Sequence, residues 1–295
     1  MNQKDTRIAI IGGAGRMGRW LTGFFQKDGF PVVIADTDAK SLSEITKQPG
    51  VTVAPDNLVA LRDADYILLS VPIEVFEDVL REIGPHVGPD QTVIDITSTK
   101  VRPVALMHRY IASGRVLGAH PLFGPGAASI ENKNVVLTPT TAAEKELAAR
   151  VATYLESRGA RVNFMTPPEH DDTMSLVLGL SHFIALVAAD TLLSSGDIRP
   201  MDTSGSSTYK VLLTLIESVL SEDPELYASL QMNFPRVVDY EKLFREKTGD
   251  WADLVAGKDR PAFVRRMREL KQRLEKIAPD FEKSYEKMYR IIEGL

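Results

Sequence analysis

The chain has 295 residues, 44% of them hydrophobic and 25% charged, with a formal net charge of −5 and no cysteine. That length carries two domains with separate cores, and the negative charge gives no electrostatic reason to bind nucleic acid or an anionic membrane. The lack of cysteine excludes disulfides, thiolate catalysis and cysteine-ligated metals, and makes the cytoplasm the expected compartment.

The first apolar run, Ile8–Ile11, begins so soon after Met1 that no signal peptide is expected. It leads into G-x-G-x-x-G at Gly13, Gly15 and Gly18, and then into Trp20, Leu21, Phe24 and Phe25 at helical spacing. Strand, glycine turn and helix in that order form a dinucleotide-binding fingerprint. Gly13 is expected to permit the tight turn, Gly15 to let a pyrophosphate approach the backbone, and Gly18 to let helix pack on strand. Arg16 and Met17 complete the cradle, where the helix N-terminus offers N–H groups to phosphates. A second strand, 31–35, ends at Asp36, whose carboxylate would accept from the ribose 2′-OH of NAD and repel the 2′-phosphate of NADP. NAD is therefore the expected cofactor and NADP the lesser alternative, since Arg16 could meet a phosphate.

Helix-like segments at 39–47, 57–62, 74–83, 101–112 and 142–157 alternate with strand-like runs at 51–53, 66–71, 92–96, 116–118, 134–137 and 161–164. The alternation predicts a Rossmann-like, doubly wound α/β sheet, mostly parallel, with ligands beyond the carboxyl ends of the strands. Three stretches then face the cofactor: Ser70-Val71-Pro72, Thr97-Ser98-Thr99-Lys100 and Gly118-Ala119-His120-Pro121. Pro167 and Pro168 mark the expected boundary between a dinucleotide-binding domain, 1–166, and an all-α domain, 167–295. In the second, helices are expected over 169–193, 209–220, 224–244 and 261–292, with a loop at 194–208. The apolar stretch 174–193 is about long enough to cross a bilayer, but Ser175, Ser181, His182 and Asp190 interrupt it, and a helix buried in protein is the expectation.

Oxidising an alcohol by hydride transfer needs a base for the hydroxyl proton. Of the five histidines, His86 and His108 read as surface residues. His120, directly after a strand, suits a base at neutral pH, the plainer reading being a turn histidine that caps backbone groups. His182, in the middle of an apolar helix, reads more simply as a core residue. Ser98 could orient His120 or bond substrate, and Lys100 could hold a carboxylate; both could equally be capping or solvent-exposed residues. No metal-ligand spacing is present, and Glu169-His170-Asp171 reads as helix capping rather than a metal site.

The combination Gly12-Gly13-x-Gly15-x-Met17-Gly18, Asp95-x-x-Ser98-x-Lys100, 116–125 (Val-Leu-Gly-x-His-Pro-x-Phe-Gly-Pro) and Glu169-His170-Asp171-x-x-Met174 with His182-Phe183 resembles the prephenate dehydrogenases, over nearly the whole chain. The resemblance implies a Rossmann domain, an α-helical dimerisation domain and oxidative decarboxylation of prephenate in tyrosine synthesis. It implies that His120 is the catalytic histidine and Ser98 its partner, and that a homodimer acts on a small-molecule substrate, with Lys100, His182 and Lys210 as substrate-binding residues. Lys210 stands where the family usually has an arginine that holds a substrate carboxylate, which leaves arogenate open as a substrate. A β-hydroxyacid dehydrogenase would carry lysine and asparagine on the helix at 174–193, which has neither. A non-catalytic NAD-binding scaffold would need neither His120 nor Ser98.

Overall fold

The computed structural model describes residues 6–45, 50–196 and 204–294. The chain divides into two compact units, Met1–Thr173 and Met174–Leu295. The first unit is built on one eight-stranded sheet in the order β3-β2-β1-β4-β5-β6-β7-β8. Its strands are β1 (Ile8–Ile11), β2 (Val32–Ala35), β3 (Val51–Val53), β4 (Tyr66–Leu69), β5 (Thr92–Asp95), β6 (Arg115–Pro121), β7 (Asn134–Leu137) and β8 (Arg161–Phe164). All neighbours pair in parallel except β6 and β7. The central strands are continuous apolar runs because helices cover both faces.

On one face lie α3 (Asn57–Leu61), α4 (Ile73–Ile83) and α5 (Val101–Tyr110), with Phe76, Leu80, Ile83 and Met107 fully buried. On the other lie α1 (Arg16–Lys27) and α6 (Ala142–Glu156), with Leu21, Leu147 and Ala148 in the core. A short α2 (Ala39–Ile45) follows β2. Strand β6 is longer than its sequence pattern suggests. Its parallel pairing with β5 ends at Gly118, but Ala119, His120 and Pro121 go on to pair antiparallel with β7. His120 therefore sits on the strand, held by a ladder on one side, and not in a following turn.

Pro167 and Pro168 do not break the chain; they start a helix. Proline tolerates the first turn, where its missing N–H costs nothing. Thr166 and Glu169 form a reciprocal cap: the Thr166 amide and hydroxyl donate to Glu169 Oε2 at 2.8 and 2.7 Å. Helical residues then run from Pro167 to Ser194 as α7 (Pro167–Met174), a π-helical turn (Ser175–Leu180) and α8 (Ser181–Ser194). The expectation that this helix is buried is not met within the chain. Only 17% of its most apolar window is covered, and Leu176, Val177, Val187 and Leu193 are exposed. By length and composition alone it could cross a membrane. The helical unit continues with α9 (Ser207–Leu220), α10 (Pro224–Asn233), α11 (Val237–Ala256), α12 (Arg260–Ile277) and α13 (Ser284–Glu293). Of the loop expected at 194–208, residues 197–203 lie outside the described residues.

Candidate functional site

The glycine turn joins β1 to α1. Gly12, rather than Gly13, takes the left-handed conformation, at φ +80°, and a side chain there would strike the Ser70 carbonyl. Gly13 has a negative φ and is required for another reason: a Cβ would run into the Ile34 side chain. Gly18 allows the helix to press on the backbone of Gly12 and Gly13. Around Gly15 the space is open, with nothing nearer to a built Cβ than Gly12 O at 3.4 Å. Gly15 is also the N-cap of α1, no side chain caps that helix, and its first turn holds no acidic residue. Arg16 is exposed in that turn and Met17 is half-buried. This is a helix start open to an anion. Asp36 Oδ2 accepts from the Ala14 amide at 2.8 Å and Oδ1 from the Asp38 amide at 3.0 Å, tying the turn to the end of β2. Two of roughly four lone-pair positions remain. Ser70 and Val71, half-buried, and Pro72, the N-cap of α4, border the same turn at the end of β4.

A second cluster lies at the ends of β5 and β6. His120, 5% exposed, meets His170 through Nδ1···Nε2 at 2.8 Å, and His170 Nδ1 meets Asp171 Oδ1 at 2.7 Å. Asp171 is fixed in turn at the N-terminus of α5, where Oδ1 accepts from the Lys100 amide at 2.7 Å and Oδ2 from the Val101 amide at 2.9 Å. This order sets the protons. An ionised carboxylate only accepts, so His170 must carry its proton on Nδ1. Neutral His170 then presents a lone pair at Nε2, and His120 must donate from Nδ1. That leaves His120 Nε2 as an acceptor, with no partner among the described residues. Burial, followed by the nearby His170 and Lys100, holds the His120 pKa well below 6.5. Burial also lowers that of His170, against the pull of its hydrogen bond to Asp171. Both rings are therefore neutral at pH 7, and the pair forms an oriented base.

Lys100 does not serve as the expected substrate contact. It is fully buried, bonded to the Asp95 carboxylate and donating to Ala119 O at 2.7 Å. Burial pushes Asp95 up and Lys100 down, against their mutual attraction. The pair clamps the end of β5 to β6 one residue from His120. Asp95 Oδ1 also accepts from the Thr97 amide at 2.7 Å, shaping the turn that carries Ser98. Ser98 is half-buried and makes no hydrogen bond to His120 among the described residues.

His182 and Lys210 belong to the helical unit. His182 Nδ1 is buried without a partner, burial lowers the pKa of its ring, and the ring stands edge-on to Tyr227 at 4.8 Å. Lys210 is exposed in the first turn of α9. Among the described residues, the buried side-chain atoms without partners are His182 Nδ1, Tyr209 Oη and Gln231 Oε1, all in this unit. The described residues contain no group of three or more His, Cys, Asp or Glu fit to hold a metal.

Sequence reasoning overlooked His170 and Asp171 by reading Glu169-His170-Asp171 as one cap. Glu169 alone caps its own helix, Asp171 caps α5, and His170 turns to His120. For Lys100 the available signal was Asp95, an acid inside an apolar strand, which demanded a partner.

Residues 21–164 match the model of the prephenate dehydrogenase nucleotide-binding domain, and residues 166–269 that of the prephenate dehydrogenase dimerization domain. A probable arogenate/prephenate dehydrogenase of Methanocaldococcus jannaschii is 32% identical over 91% of the chain and 61% of its own length. The T-protein of Enterobacter agglomerans is 26% identical over 87% of the chain and 64% of its length. The chain thus spans about three-fifths of the length of these curated relatives. In fold it is similar to the crystal structure of prephenate dehydrogenase from A. aeolicus in complex with hydroxyphenyl propionate and NAD+, with a TM-score of 0.75 at 21% identity, covering 94% of this chain and all of that one.

Proposed function

Because the chain belongs to the prephenate dehydrogenase family, we propose that it catalyses the NAD-dependent oxidative decarboxylation of prephenate to 4-hydroxyphenylpyruvate. The observation that carries this reading is the lone pair that Asp171 and His170 fix on His120 Nε2. The open glycine turn fits a dinucleotide. Gly13, Gly15, Arg16, Met17 and Gly18 hold its pyrophosphate, Asp36 its adenosine ribose, and Ser70, Val71 and Pro72 border it. Asp36 favours NAD over NADP. When bound, the oxidised nicotinamide supplies a hydride acceptor for C4 of the substrate.

The rest of the chemistry falls to the protein. As hydride leaves C4, His120 Nε2 takes the proton of the C4 hydroxyl and a ring ketone forms. The bond from the ring to its carboxylate then breaks and CO2 departs. The freed electron pair makes the ring aromatic and charges the oxygen, and His120 returns the proton. The net change is prephenate and NAD to 4-hydroxyphenylpyruvate, NADH and CO2. Ser98, on the turn shaped by Asp95, bonds the substrate hydroxyl beside His120. Lys100 positions His120 by clamping β5 to β6 and does not touch substrate.

His182 and Lys210 hold the substrate's carboxylates, and a second copy of the chain covers the exposed apolar side of the helical unit, making a homodimer in the cytoplasm. Arogenate is the second reading, favoured by Lys210: a lysine keeps the charge but lacks the two-pronged geometry of arginine. The test is NADH formation at 340 nm with prephenate and arogenate in separate reactions, each with NAD or NADP. A rate with prephenate and NAD is expected. No rate with either substrate, in protein that binds NAD, would overturn the reading.

A further inference from the structure

The two faces of the sheet are covered unequally. On the face of α1 and α6, α1 packs on β1 and β2, and α6 on β6 and β8. From β1 to β6 is three strand spacings, roughly 14 Å, whereas helices in contact lie about 8–10 Å apart. Among the described residues of this unit, no helix therefore covers β4 and β5 on this side. Large side chains bridge the gap instead: Trp20 and Phe24 from α1, Tyr154 from α6, and Phe123 from the segment after β6. Trp20 meets Phe123 edge-to-face at 4.8 Å, and Phe24 meets Tyr154 at 6.1 Å. They leave a cavity of about 100 Å³ with Leu68 and Ile94 also in its lining, on the order of the apolar voids that accept one six-membered ring.

Two polar atoms of the wall are already engaged. Trp20 Nε1 donates to Ala127 O at 2.7 Å, and Tyr154 Oη to Asp28 at 2.7 Å. Arg150 is an exposed cation in the lining with no hydrogen bond or salt bridge among the described residues. Its charge reaches the cavity, since it works against the burial that raises the Tyr66 phenol pKa.

We propose that this cavity is a binding site for a monocyclic aromatic carboxylate, the ring held among Trp20, Phe24, Phe123 and Tyr154 and the carboxylate at Arg150. The site is separate from that of His120. Side chains alternate along a strand, and Ala119 and Pro121 line the cavity, so His120 between them points to the opposite face. An occupant touches α1, which leaves the glycine turn, and Phe123, just beyond His120. It does not compete for the reaction site.

The test is a fluorescence titration with phenylacetate of the full chain carrying Trp251→Phe, which leaves Trp20 as the reporter. It needs no turnover, so its failure is distinct from failure of the proposed reaction. The expected result is a saturable change with Kd near or below about 1 mM, unaffected by NAD or prephenate. Arg150→Gln should weaken phenylacetate at least about fivefold and leave benzyl alcohol unchanged, and Leu68→Phe, by filling the cavity, should abolish both. Ile94→Phe is the second filling variant, and each counts only with wild-type far-UV circular dichroism. No saturable change, undiminished binding in a folded filling variant, equal binding in Arg150→Gln, or displacement by NAD or prephenate would overturn the proposal.

Discussion

His120 and His182 are both sheltered histidines with lowered pKa values, yet their surroundings are opposite in kind. On the Nδ1 side of His120 the polar groups are paired, in a chain that runs from the α5 amides through Asp171 and His170. Around His182 a ring nitrogen is left without a partner, as are Tyr209 Oη and Gln231 Oε1 in the same unit. A satisfied network fixes a tautomer before substrate arrives and so preorganises a base. Unsatisfied buried polar atoms cost about 1–3 kcal/mol each, a cost that is relieved when a ligand or another chain supplies the missing bond. The α/β unit thus carries a connected polar network, and the helical unit carries buried polar atoms still without partners among the described residues.

The largest effect expected from breaking this contrast is at His120. His120→Asn should lower turnover by about 10²–10⁴-fold with NAD affinity within about twofold of wild type, measured by initial rates and by calorimetry. Loss of NAD binding as well would make His120 structural. Lys100→Met should act through the fold, because it strands the buried Asp95 carboxylate. A loss of about 3–5 kcal/mol is expected in urea unfolding.

His170→Gln is smaller and more diagnostic. A glutamine amide does not impose a tautomer on His120, so kcat should fall about 10-fold with KM nearly unchanged. The acid limb of kcat/KM should also move to higher pH, because the charge that His170 adds against protonation of His120 is gone. A purely structural role would leave that limb in place. In the wild type the limb should lie below pH 6.5, since burial lowers the pKa of both rings. The same groups set a stability trend. Below pH 6.5 the unfolded chain binds more protons at these positions than the folded one. Their contribution is therefore complete above the unfolded value and declines as pH falls through 6.5, which melting at pH 5.5 and 7.5 would detect. The smallest change belongs to the helical unit: Lys210→Arg should lower the prephenate KM a few-fold without altering kcat or the pH limb.

Much of the α/β unit was legible because its rules are local. Apolar runs, glycines and a following acid mark β1, the turn, α1 and Asp36 whatever lies elsewhere. The roles of Gly12 and Gly13 were not, since they depend on Ser70 and Ile34, which are distant in sequence. Lys100 was misread for the same reason. Its place in a strand-end turn suggested a ligand, while the deciding fact is Asp95 beneath it. The His120–His170 contact joins residues fifty positions apart, and no periodicity encodes such a pair. The apolar pattern of 174–193 located a helix but could not tell a core from an uncovered surface.

The central claim is that His120 reaches its substrate as a neutral ring protonated on Nδ1. Long-range ¹H–¹⁵N spectra of ¹⁵N-histidine-labelled protein at pH 7, assigned by comparison with His120→Asn, test it directly. The account predicts a His120 signal with a protonated Nδ1 and an unprotonated Nε2, and loss of that preference in Asp171→Asn. A ring protonated on Nε2, or on both nitrogens, in the wild type would contradict it.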